Sequence, residues 1–186
     1  MDNHLLGQIC ALLAAITWAC ALILFKRSGD HIPPIGLSLF KNTIALLLLG
    51  ATLVVLIIVE PSHNVSHLHD FTAGDFCILM LSGIVGIAIA DTLFFYALNL
   101  IGVGLISIVD CAYSPTVLLC AWLLLAETLA PIHYVGGALI IIGVFIALRH
   151  KPPANRTRGQ ILLGMLLAMI AIVTMAIGIV MAKPII

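Results

Sequence analysis

The sequence predicts an all-α integral membrane protein, and three observations carry that expectation. Of its 186 residues 63% are hydrophobic and only 9% charged. Six apolar runs each approach the roughly 20 residues that cross a hydrocarbon core about 30 Å thick. Alternating segments of about ten residues, the mark of a membrane β-barrel, are absent from the sequence. A soluble domain of this size could not hide so much apolar surface. Lipid offers no hydrogen-bond partners, so each run must satisfy its own backbone by becoming a helix.

The first run extends from Leu5 to Phe25 and stops at Lys26-Arg27-Ser28-Gly29-Asp30. Its full span length and its basic end argue against a cleaved secretory signal, which has a short apolar core and a small-residue cleavage site. The second begins after Pro33-Pro34, where proline suits a first helical turn, and continues to Val59 before Glu60-Pro61. The third covers Asp75 to Leu98, and a tight turn over Asn99 to Gly104 leads into a fourth that ends at Ala126. Glu127 to Pro131 separates it from the fifth, Ile132 to Leu148, and the sixth runs from Gln160 to Ala182. The five cysteines, Cys10, Cys20, Cys77, Cys111 and Cys120, lie inside these runs without CxxC spacing and read as small hydrophobes.

An internal repeat orders the runs. Gly7-Gln8-Ile9 aligns with Gly159-Gln160-Ile161, and in a register shifted by five residues Ile16-Thr17-Trp18-Ala19 aligns with Val173-Thr174-Met175-Ala176. That second register also places Lys26 on Lys183. A unit of five spans is odd, so a second unit enters the membrane from the opposite side, the inverted arrangement of many transporters. The expected organisation is one five-helix repeat over residues 1–150, a basic loop at 151–158, and the first helix of an inverted second repeat at 159–186. On this reading the chain is a fragment or half of a ten-helix carrier, completed by a C-terminal half or by a homodimer.

Several segments, in order and spacing, resemble the EamA-like members of the drug/metabolite transporter superfamily. They are Ala14 to Lys26 (AAITWACALILFK), Gly83 to Leu98 (GIVGIAIADTLFFYAL), Ser114-Pro115-Thr116-Val117, Leu123 to Leu129 (LLLAETL) and Gly136 to Val144 (GGALIIIGV). The resemblance implies two inverted five-helix repeats in a cell membrane, the inner membrane in a bacterium, moving small organic solutes such as metabolites, amino acids or drugs. It also matches Glu127 to the family's acidic residue at the end of its fourth helix. Asp91 and Asp110 depart from it, standing where apolar or aromatic residues are expected.

Ionisable side chains at membrane depth are costly and mark functional candidates. Counting about 1.5 Å per residue back from the turn near residue 101 puts Asp91 and Asp110 both on the order of 10 Å below one surface. Lys41, counted from Pro34, lies at a similar depth on the same side. One lysine neutralises one aspartate, so Lys41, Asp91 and Asp110 are expected to form a polar cluster whose spare carboxylate carries a proton or holds a cationic part of the substrate. Ser114 lies one turn beyond Asp110, and Pro115 deprives the Cys111 carbonyl of its usual donor. Trp18, Tyr96 and Tyr113 are expected as aromatic cavity walls. The alternative assignment has Lys41 snorkelling to the interface and the aspartates fixing helix packing. The small-residue stripes Ala11-Ala15-Ala19, Ser82-Gly86-Ala90 and Gly136-Gly143-Ala147 are expected to let helices approach closely.

His63, His67 and His69 beside Asp70 suit zinc or another divalent cation and raise a metal-ion carrier as the rival function, although a solvated loop explains them as simply. A non-transporting membrane partner subunit is a third reading. Outside the aspartates there is no nucleophile with a base, and no phosphate-binding glycine loop, so neither an enzyme nor an ATP-driven pump is expected. The expected partners are the bilayer and a small-molecule solute, with no cofactor and no nucleic acid. Orientation divides the arguments: Lys26, Arg27, Arg149, Lys151, Arg156 and Arg158 fall on one side by parity, which makes that side cytoplasmic, whereas the family resemblance places the N-terminus in the cytoplasm.

Overall fold

The computed structural model describes residues 3–59, 72–125, 130–148 and 157–185. Every regular element among them is helical: α1 (Asn3–Gly29), α2 (Pro34–Val59), α3 (Ala73–Gly83), a π-helical segment (Ile84–Ile89), α4 (Ala90–Asp110), α5 (Tyr113–Leu125), α6 (Pro131–Leu148) and α7 (Arg158–Ala182). Five stretches are long and apolar enough to span a bilayer, with α5 a shorter apolar helix. The protein is an all-α integral membrane protein.

The longest stretch, Ala73–Asp110, has 38 residues, which as a straight helix would reach roughly 57 Å, nearly twice the hydrocarbon thickness. It is not continuous. Gly102 has φ 79° and ψ 171°, a conformation essentially restricted to glycine. The turn expected over residues 99–104 therefore reduces to a break at one residue, and the six apolar runs map onto the five long stretches plus α5. The fourth run is itself interrupted: α4 ends at Asp110, and Cys111 and Ala112 form a turn ahead of α5. Pro115 in the first turn of α5 removes a backbone donor, and the helix resumes with Thr116 N–H donating to the Ala112 carbonyl at 3.1 Å.

Two N-termini are closed by reciprocal capping. Thr72 accepts from the Asp75 amide while Asp75 accepts from the Thr72 amide, and Thr157 and Gln160 do the same for α7. Capping draws these helix starts to Ala73 and Arg158, ahead of the hydrophobic boundaries at Asp75 and Gln160.

The centre of the bundle is α7 against α4. Ala168, Ala171 and Ala176 are fully buried, and Ile172 packs among Phe94, Phe95, Leu98, Ile106 and Val109. Small residues let the two helices touch, because lipid tails provide no hydrophobic drive for association and close van der Waals contact must replace it. A close backbone approach joins α7 to the π-helical segment. A Cβ on Gly86 would lie 2.9 Å from the Gly178 Cα, and the buried Ser82 hydroxyl donates to the Gly178 carbonyl at 2.7 Å. Of the three small-residue stripes, Ser82-Gly86-Ala90 is thus a tight packing seam. Ala11, Ala15 and Ala19 are exposed instead, and the α6 stripe is only partly covered, because α7 packs against α3, α4 and α5. All five cysteines are unpaired, four of them exposed.

Candidate functional site

The charges at membrane depth resolve into two centres. In the first, Asp91 is buried on α4 two residues after the π-helical segment ends. Its Oδ2 accepts from the Lys41 ammonium, forming an ion pair, and from Asn42 Nδ2 at 3.2 Å. Asn42 in turn donates to the buried Ser38 hydroxyl at 3.3 Å. The Lys41 ammonium also lies 5.8 Å from the centre of the Phe95 ring, within cation–π range. α2 therefore presents Lys41 and Asn42, the latter also bonded to Ser38 on the same face, to a single carboxylate, which compensates for its removal from water.

In the second centre, Asp110 stands at the C-terminal end of α4, partly buried, and its Oδ2 accepts from the Trp18 indole N–H at 3.0 Å. Among the described residues no lysine, arginine or histidine pairs with it. It lines a cavity of about 370 Å³ together with Trp18, Phe94, Tyr113, Ser114 and Met175. Trp18 also meets the Phe94 ring at 6.2 Å between centroids. Phe94 meets Phe95 at 6.3 Å, edge to face, so two adjacent rings of α4 stand between the lysine-bound carboxylate and the indole-bound one.

The structure thus brings together Lys41 with Asp91, and separately Trp18 with Asp110, Tyr113 and Ser114. The expected three-membered cluster of Lys41, Asp91 and Asp110 is not formed. Equal depth along the membrane normal says nothing about the angle around each helix axis, and the ammonium of α2 faces α4 on the Asp91 side. Tyr96 lines neither centre and is exposed; it follows Phe94 by two positions, about 200° around the helix, which turns it away from the cavity. Asn42, Ser38, Phe94 and Met175 complete the two centres without having been singled out as site residues. The signal for Asn42 was present, since Lys41-Asn42-Thr43 is a polar patch within a leucine-rich run.

A second cavity of about 280 Å³ between α5 and α6, lined by Trp122, Tyr134 and Ile141 among others, contains no carboxylate or amine. His63, His67, His69 and Glu127 lie outside the described residues. Among the described residues no group of three metal-ligating side chains occurs.

No curated protein and no solved structure shows significant similarity to the chain. The model of the EamA-like transporter family matches residues 5–149, a stretch that runs from the first turn of α1 through α6, holds both carboxylates and leaves α7 outside it. A multi-pass helical bundle with carboxylates at membrane depth and a family match over most of its length belongs to the EamA-like transporter family.

Proposed function

We propose that this chain is a proton-coupled carrier of small organic solutes in which solute and proton share Asp110. The observation that carries the reading is a partly buried carboxylate that faces a cavity, is oriented by the Trp18 indole and has no cationic neighbour among the described residues. A carboxylate in that setting either takes a proton or binds a solute, and exclusive occupancy couples the two fluxes. Tyr113 and Cys111 are the other titratable groups lining the cavity. The Asp91 carboxylate is already neutralised by Lys41 and bound by Asn42, so it serves as a fixed polar clamp between α2 and α4 rather than as the exchanging group. The interruption at Cys111 and Ala112 places Asp110 at a helix break, the kind of discontinuity on which transporter sites are built.

The repeat alignment supports a carrier of two inverted units. Trp18 of α1 and its aligned counterpart Met175 of α7 reach the same cavity, and their neighbours Thr17 and Thr174 each donate to the carbonyl four residues back. The test is a panel of amino acids, nucleosides and aromatic amines offered to proteoliposomes loaded with a pH-sensitive dye. At least one class is expected to drive a lumenal pH change with the native protein and with Asp75→Asn, and none with Asp110→Asn. An Asp110→Asn protein that moves protons like the native one would remove Asp110 from the coupling.

A further inference from the structure

The proposal above leaves the solute class open, and the make-up of the Asp110 cavity narrows it. Resting on the reading of that cavity as the solute site, we infer that its solute is an organic monocation: a protonated or quaternary amine attached to an apolar or aromatic body. Three features point the same way. Charge comes first. Asp110 is the one ionised-type side chain among the lining residues, and Lys41, the ammonium that could have served an anion, is held by Asp91 behind the Phe94 and Phe95 rings. A carboxylate solute would meet like charge, and a zwitterionic amino acid would find a charged partner for its ammonium but no cation for its carboxylate, only the Tyr113 and Ser114 hydroxyls among the lining residues. Burying an unpaired charge is costly, so both classes are selected against.

The geometry of the carboxylate comes second. Trp18 Nε1 occupies Oδ2 of Asp110, and every buried side-chain oxygen among the described residues has a hydrogen-bond partner. Oδ1, which accepts no hydrogen bond from the described residues, is therefore accessible rather than sealed in the core, on a side chain that lines the cavity. It can accept from an N–H of an ammonium or face the methyl groups of a quaternary one. The walls come third. Trp18, Phe94 and Tyr113 present ring surface around the carboxylate, and Ile172 and Met175 of α7 supply the apolar remainder. Aromatic faces attract a cation that the carboxylate already holds, and a cavity of about 370 Å³ falls in the range that encloses a small organic molecule. Polar solutes rich in hydroxyl groups would leave most of their hydrogen bonds unmade against such walls.

Trp18 is itself the reporter. With Trp122→Phe, a change in the separate α5–α6 cavity, the protein retains one tryptophan, at the Asp110 site. The probes are benzyltrimethylammonium, benzoate, phenylalanine and benzyl alcohol, which share a ring and differ in charge, titrated into the full chain in nanodiscs. Saturable change of Trp18 emission is expected for benzyltrimethylammonium, with binding roughly tenfold or more weaker in Asp110→Asn and retained in Asp110→Glu; the Glu variant separates loss of charge from loss of fold. Benzoate, phenylalanine or benzyl alcohol binding as tightly as the cation would overturn the monocation assignment while leaving the cavity as the solute site. If none of the four perturbs Trp18, the assignment and the cavity reading fail together.

Discussion

The Lys41–Asp91 pair gives the most quantitative handle on how the bundle is held together. The Asp91 side chain is 6% exposed and that of Lys41 26%, so the carboxylate has little access to water or headgroups once its partner is removed. Lys41→Met leaves it with Asn42 alone, and stranding a buried charge costs about 3–5 kcal/mol. The loss should lie near the lower end, about 3 kcal/mol, because Asn42 keeps one hydrogen bond to the same oxygen. Replacing both members, Lys41→Met with Asp91→Leu, removes the desolvation cost along with the attraction and should return stability to within about 1 kcal/mol of the native protein. The two single variants would then be strongly non-additive, with a coupling on the order of 2 kcal/mol or more. Reversible unfolding in mixed micelles, followed by far-UV circular dichroism across the four proteins of the cycle, measures it. A coupling below about 0.5 kcal/mol would refute the reasoning, since it would mean that Asp91 does not depend on Lys41 for its burial.

Three further outcomes follow from backbone geometry and packing. Gly102→Ala forces a side chain into a backbone conformation that only glycine tolerates and should cost about 1–3 kcal/mol. Gly104→Ala, two residues on, has open space and no such dihedral, and should be neutral or stabilising by up to about 1 kcal/mol; equal effects of the two would contradict a break at Gly102. A Cβ on Gly178 would run into the backbone of Gly86, not into a flexible side chain, so Gly178→Ala should lower stability by about 1–3 kcal/mol whereas Gly7→Ala, with nothing near it, should not. Ser82→Ala removes the hydroxyl that bonds the Gly178 carbonyl and should cost about 0.6 kcal/mol, as interhelical hydrogen bonds in membranes do on average; thermal shifts in detergent report both.

The spans were legible because hydropathy and proline act locally. Pro34 opens α2, as read from the sequence, and α6 and α7 begin within two residues of the expected points. The π-helical segment ahead of Asp91 was not legible, because one extra residue in a turn leaves the apolar composition of GIVGIAIA unchanged. The site was half legible. Rarity of charge in lipid singles out Lys41, Asp91 and Asp110, and residue counting sets their depth. Which carboxylate takes the lysine depends on helix rotation, which residue counting does not give and which follows from packing such as that of Ala168, Ala171 and Ile172 of α7 in one cluster with Phe94, Phe95 and Val109 of α4. Trp18 was anticipated as a wall but not as the donor to Asp110, a pairing across 92 positions of sequence that no periodicity encodes.

The central claim is that solute and proton compete for Asp110, and proton release on binding tests it most directly. In weakly buffered nanodiscs brought to the pH at which half the sites are protonated, adding benzyltrimethylammonium should release protons in proportion to the cation bound, and should release none in Asp110→Asn. Cation binding to the native protein without proton release, or release that persists in Asp110→Asn, would contradict the account.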